Sequence, residues 1–142
     1  GVLQYFYTGS VASGATKPDT TELYVAGTFK MFTLKYSHVV SKSIFGVANS
    51  RNSGYLDLTG TFPIMDNLTL TAHVGHQIVK NTGGAGTYTD GKLELGYDFG
   101  NGFALSGGVT ATDADKGFYT PLGKKFTGKT TPYALIKYTK SF

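Results

Sequence analysis

Three histidines, His38, His73 and His76, are the first candidates for metal chemistry. His73 and His76 are three apart, and in an extended strand that spacing points them to opposite faces, so they do not chelate one ion together. Catalytic zinc takes three convergent protein ligands, and no third one stands near either histidine. The stretch Gly86-Thr87-Tyr88-Thr89-Asp90-Gly91-Lys92 mimics the phosphate-cradling GxxxxGK loop. That loop continues with Ser or Thr and opens a helix, whereas here Leu93 follows and opens an alternating strand. Asp113 and Asp115 could supply two oxygens to calcium, but the further oxygen ligands are not evident. Asn67-Leu68-Thr69 matches the glycosylation triplet, yet it falls at a tight turn. No Ser/His/Asp arrangement is indicated, so neither catalytic residue, metal nor cofactor is expected.

A set of polar residues along the chain follows a different rule. Glu22, Lys35, Asp57, His73, Gln77, Lys92, Glu94, Asp98 and Lys137 each stand opposite apolar neighbours in an alternating pattern. Alternation is the period of a β-strand with one apolar and one polar face. Eight such stretches run at 2–8, 21–29, 32–40, 54–62, 68–79, 89–99, 103–113 and 131–142. In the fourth, Leu56, Leu58 and Phe62 oppose Asp57, Thr59 and Thr61; in the sixth, Leu93, Leu95, Tyr97 and Phe99 oppose Lys92, Glu94 and Asp98. No segment carries a helical period. The connections alternate between short ones (Lys30-Met31, 63–67, 100–102) and long ones (9–20, 41–53, 80–88, 114–130). An up-and-down sheet with one trimmed end and one looped end gives this pattern, and bacterial outer-membrane barrels have such ends.

Composition agrees with a single all-β domain over residues 1–142. Only 15% of residues are charged, Gly numbers 20, Tyr and Phe number 10 each, and there is no Trp and no Cys. That is too aromatic and too weakly charged for disorder. The absence of thiols excludes a disulfide scaffold and Cys-based metal centres. No apolar run reaches the length of a membrane-spanning helix. The net charge of +4 comes from lysines spread singly, Lys124-Lys125 being the one adjacent basic pair; nucleic-acid binding needs a clustered patch, so none is expected.

Aromatic placement sharpens the choice between a soluble and a membrane sheet. Phe29, Phe32, Phe62, Phe99 and Phe103 fall at the short-turn ends, while Tyr7, Tyr24, Tyr36, Tyr55, Tyr88 and Tyr133 fall toward the long loops. Two aromatic rims match the two interfaces of a bilayer. The chain closes on Tyr138-Thr139-Lys140-Ser141-Phe142, and Tyr138 with Phe142 resembles the terminal signal read by the outer-membrane barrel-assembly machinery. Lys140 departs from that signal.

The segments GVLQYFYTGS (1–10), TELYVAGTF (21–29), SGYLDLTGTFPIMDNLTLTAHVGHQ (53–77), YTDGKLELGYDFGNGFALSGGVTATDADKGFYT (88–120) and the closing KYTKSF resemble the proteobacterial TorF-type porin family, also called Gcw_chp outer-membrane proteins. The resemblance implies an integral outer-membrane β-barrel with a channel role and no assigned solute. Members of that family are longer, so further strands before Gly1 are expected, about twelve in all. An eight-stranded barrel is just wide enough for its own side chains, whereas a channel needs more strands. The expectation is therefore a transmembrane up-and-down barrel through which small solutes diffuse past the polar face. The alternatives are a non-conducting eight-stranded barrel acting through its long loops, and a soluble lipocalin-like barrel with the apolar face inside. Expected partners are outer-membrane lipids and lipopolysaccharide, the latter met by basic loop residues such as Lys42, Arg51 and Lys80. Self-association or membership of a larger membrane assembly stays open.

Overall fold

In a computed structural model, residues 1–120 and 130–140 are described. They form one eight-stranded antiparallel sheet in which every strand pairs with its neighbours in sequence. The strands are β1 (Val2–Tyr5), β2 (Thr20–Phe29), β3 (Phe32–Val39), β4 (Gly54–Met65), β5 (Leu68–Ile78), β6 (Tyr88–Gly100), β7 (Phe103–Thr112) and β8 (Thr130–Tyr138). A one-turn helix, α1 (Lys116–Tyr119), sits in the last long loop, its first turn capped by the Asp115 carboxylate accepting from the Phe118 N–H. No helix was legible there, because four residues are too few to show a period.

The up-and-down order follows from the turns. β2–β3 and β4–β5 are joined by two residues each, and β6–β7 by Asn101-Gly102, both at positive φ. Asn-Gly with both residues left-handed is the hairpin turn whose twist suits flanking strands. β4 runs three residues beyond the expected end at Phe62. It does so through Pro63, where the register shifts by a residue; proline lacks the N–H for a regular ladder and is tolerated at such irregularities. β1 is shorter than expected, ending at Tyr5, beyond which the Tyr7 N–H turns to the Asp19 carboxylate. β8 ends at Tyr138 instead of 142, and the Thr139 N–H closes on the Gly102 carbonyl. Phe142, the terminal half of the expected assembly signal, lies outside the described residues, as do Lys124, Lys125 and Lys129.

The eight expected strands are present, but the sheet is open. β1 and β8 are its two edges and do not pair with one another. β1 covers only Thr20 to Leu23 of β2, and Gly1 exchanges both backbone bonds with Tyr24. Among the described residues, Val25 to Phe29 on the β1 side and the outer side of β8 have no strand partner.

The two faces are distributed opposite to those of a water-soluble sheet. Leu34, Leu56, Leu58, Val74, Leu93 and Leu95 are all exposed, between 41% and 50%. Their polar neighbours Thr33, Lys35, Asp57, Thr59, Lys92 and Glu94 are half-buried. A buried apolar cluster of Val39, Ile44 and Val79 sits where the 40–53 loop folds over the long-loop end. That loop is held by its own serines. Ser50 Oγ accepts from the Ile44 N–H, and Ser53 Oγ accepts from the Lys80 N–H.

Candidate functional site

The polar face of β4, β5, β6 and β7 borders an open hollow of about 790 Å³ below the long loops. Its walls carry Tyr55, Asp57 and Thr59 from β4, His73 from β5, Tyr88, Asp90 and Lys92 from β6, and Thr110 and Thr112 from β7, with Tyr119 of α1 above. Alternation places them together: Asp57 pairs with Gly75, Gly75 with Asp90, and His73 with both Thr59 and Lys92.

His73 is the centre. Its Nδ1 lies 3.1 Å from Asp57 Oδ2 and its Nε2 lies 3.0 Å from Asp90 Oδ1. Thr59 Oγ1 donates to Asp57 Oδ1 at 3.0 Å, and the Tyr55 hydroxyl donates to Asp90 Oδ2 at 2.9 Å. Each oxygen of the two carboxylates thus has a partner. The same ring nitrogens also lie near hydroxyls, the Tyr55 oxygen 3.1 Å from Nε2 and Thr59 Oγ1 3.3 Å from Nδ1. Among the described residues no group of three or more His, Cys, Asp or Glu is placed to hold a metal ion.

Glycine makes this wiring reachable. Tyr55 on β4 lies flat over Gly75 on β5 and ends on Asp90 of β6. A Cβ on Gly75 would collide with the Tyr55 hydroxyl oxygen. The same device recurs from the other side. Tyr133 on β8 crosses Gly108 on β7 and donates to Glu94 Oε2 on β6. A Cβ on Gly108 would meet the Tyr133 hydroxyl at 3.0 Å. Two tyrosine straps therefore converge on β6.

The other residues expected on the polar face are all there, but they separate into groups. Lys92 Nζ stands 3.8 Å from Glu94 Oε1. Glu94, Asp98 and Lys137 share a second hollow of about 390 Å³ nearer the short turns, where Asp98 also accepts from the Gly100 N–H. Glu22 and Lys35 lie on β2 and β3, with the Lys35 ammonium 4.7 Å from the centre of the Tyr24 ring. Gln77 is buried at the loop end and donates to the Gly54 carbonyl. On the opposite face Phe29, Phe32, Phe99 and Phe103 are exposed at the short-turn end, with Phe62 edge-on to Phe32 at 5.7 Å. Tyr138 stacks beside Phe103 at 4.5 Å.

One part of the aromatic expectation is corrected. Tyr24, Tyr55, Tyr88 and Tyr133 belong to the polar face, so they do not form an outward rim at the looped end; Tyr36 does face outward. Their parity along the strands carried this information, since Tyr55 is two residues from Asp57 and Tyr88 four from Lys92. Asp90 was also missed as a site residue. It shares parity with Lys92 and Glu94, but it fell inside the apparent glycine-rich loop.

Above the hollow, the Tyr119 hydroxyl donates to the Gly86 carbonyl at 2.5 Å and the ring meets Tyr88 edge-on. Burial, with a smaller push from Tyr88, raises this phenol to about 12. At the rim, Lys17 sits 2.8 Å from Asp19; that bond, with the Tyr7 N–H, holds the Asp19 carboxyl below its usual range.

A family model described as a bacterial protein of unknown function, Gcw_chp, matches residues 1–142. The chain belongs to the Gcw_chp family. No curated protein and no solved structure matches it.

Proposed function

We propose that this chain forms the wall of a bacterial outer-membrane β-barrel and that its polar face lines a lumen for passive diffusion of small solutes. The observation that carries this reading is the inverted burial. Most apolar strand residues face outward and many are exposed, while carboxylates, lysines and hydroxyls face the hollow. In water such a surface is a large aggregation-prone patch; in a bilayer it is the lipid-facing band. A lipocalin-like barrel requires the opposite arrangement. β2 to β8 run 8 to 13 residues, close to the roughly 9–11 a tilted strand needs to cross the hydrocarbon. The phenylalanine band fits one interface, and lysines of the long loops fit the phosphates of lipopolysaccharide at the other. Unpaired backbone is not tolerated in lipid, so in the membrane the two edges must be joined, either to each other or to further strands.

The experiment is conductance of the purified natural protein in a planar bilayer. Reproducible ohmic steps are expected. Silence after confirmed insertion would overturn the channel and favour the non-conducting barrel, a reading to which the strapped interior and the folded 40–53 loop lend support. Since the sequence has no cysteine, single cysteines test the faces separately. In membranes Thr59→Cys should react with a charged thiol reagent and Leu58→Cys should not; the reverse result would sink the membrane orientation.

A further inference from the structure

We infer that the 790 Å³ hollow is a binding site for a small zwitterion, a solute carrying an ammonium and a carboxylate a few bonds apart, such as a free amino acid. This rests on the lumen reading above and names the solute class of that lumen. The argument begins with β6. Asp90 and Lys92 are alternate residues of one strand on one face, so their backbone positions are roughly 6.6 Å apart at about 3.3 Å per residue. Opposite charges at that separation make a fixed pair of poles. A zwitterion bridges them with one charge-assisted hydrogen bond of ~2.8 Å at each end.

The poles have capacity to spare. The Lys92 ammonium is 3.8 Å from Glu94, beyond hydrogen-bond reach, and it is one-third exposed into the hollow. At the other end Asp57 and Asp90 hold one partner per oxygen, and a carboxylate oxygen accepts two. His73 keeps the two carboxylates side by side. The Tyr88 hydroxyl, also lining the hollow, has no hydrogen-bond partner among the described residues. Charge sets the class. The lining presents carboxylates at one end and the Lys92 ammonium at the other, so a solute with both charges finds a partner for each.

The test is calorimetric titration of the natural protein, in detergent micelles, with four probes of similar size: L-alanine, alanine amide, N-acetylalanine and glucose. L-Alanine should bind, and the two single-charge analogues should bind on the order of tenfold more weakly, the effect of losing one charged contact. Lys92→Met and Asp90→Asn should each weaken L-alanine by a similar factor. Because Asp90 also anchors Tyr55, Lys92→Met and the probe series on the unaltered protein carry the test if Asp90→Asn misfolds. Equal affinity for alanine amide would mean a plain cation site; tighter binding of glucose would mean a polyol site; no binding to folded protein would mean no site. Each overturns the inference. Conductance without L-alanine binding would overturn it while leaving the channel intact, and binding without conductance would support the site while removing the channel.

Discussion

Gly75 is the residue on which the interior depends most directly. The Tyr55 hydroxyl occupies the space where a Gly75 Cβ would be. Gly75→Ala should lift the tyrosine off the wall and separate it from Asp90, with an overpacking cost of about 1–3 kcal/mol in a urea unfolding series. Tyr55→Phe keeps the ring and removes only the donor. It should cost ~1–3 kcal/mol, because Asp90 then loses a hydrogen bond in a half-buried setting. If the phenylalanine variant unfolds with the natural midpoint, the strap is decorative. These contacts explain what the sequence did and did not disclose. Alternation put Asp57, His73 and Lys92 on one face unambiguously. It could not show that His73 bridges two carboxylates, because pairing across strands depends on register. A one-residue slip in β5 would have turned His73 outward and His76 inward. Tyr55 was read as a rim residue because its type outweighed its parity.

At the scale of elements, the strands were legible and the loops were not. Every strand announced itself through period two, and the ends that moved, at Tyr5, Met65 and Tyr138, are those where a turn, a bulge or an edge decides. The 40–53 loop shows the limit: no period marks its serines, and Ser50 and Ser53 are fully buried and organise the loop through backbone bonds. Helix α1 gives a pH prediction. Tyr119 keeps its proton up to about 12 in the folded chain, against 10 for an ordinary phenol. The folded state therefore holds more protons than the unfolded one between those values, and stability falls as pH rises through that window. The contribution is complete below pH 10. Tyr119→Phe should remove this part of the alkaline slope in denaturation curves between those pH values, and an unchanged slope would show that the phenol is not protected.

For the whole molecule, the exposed leucines set the expectation. Leu58→Lys on the outer face should cost roughly 2–4 kcal/mol if that face sits at mid-bilayer, while a charge at inward Thr59 should cost far less. Equal costs in a lipid-refolding titration would contradict a lipid-facing outer surface. The open edges were beyond any reading of periodicity, which reports what each strand buries and not which strands meet. Family membership spans the whole chain without supplying an activity, so these measurements bear on function directly.

The order β1 to β8 without a crossover also constrains how such a wall can be put together. Each hairpin can be added to the one before it with short loop closures, so the sheet can grow from one side like a fence, post by post. The tyrosine straps skip a strand, however, and β6 receives both of them. A hairpin alone leaves a strap carboxylate without its tyrosine; three consecutive strands are the smallest piece that completes a strap. Growth from the β8 side would complete the Glu94 strap once β6 joins, and the Asp90 strap only when β4 arrives. Partly assembled sheets ending at β5 would then be the ones most prone to fall back.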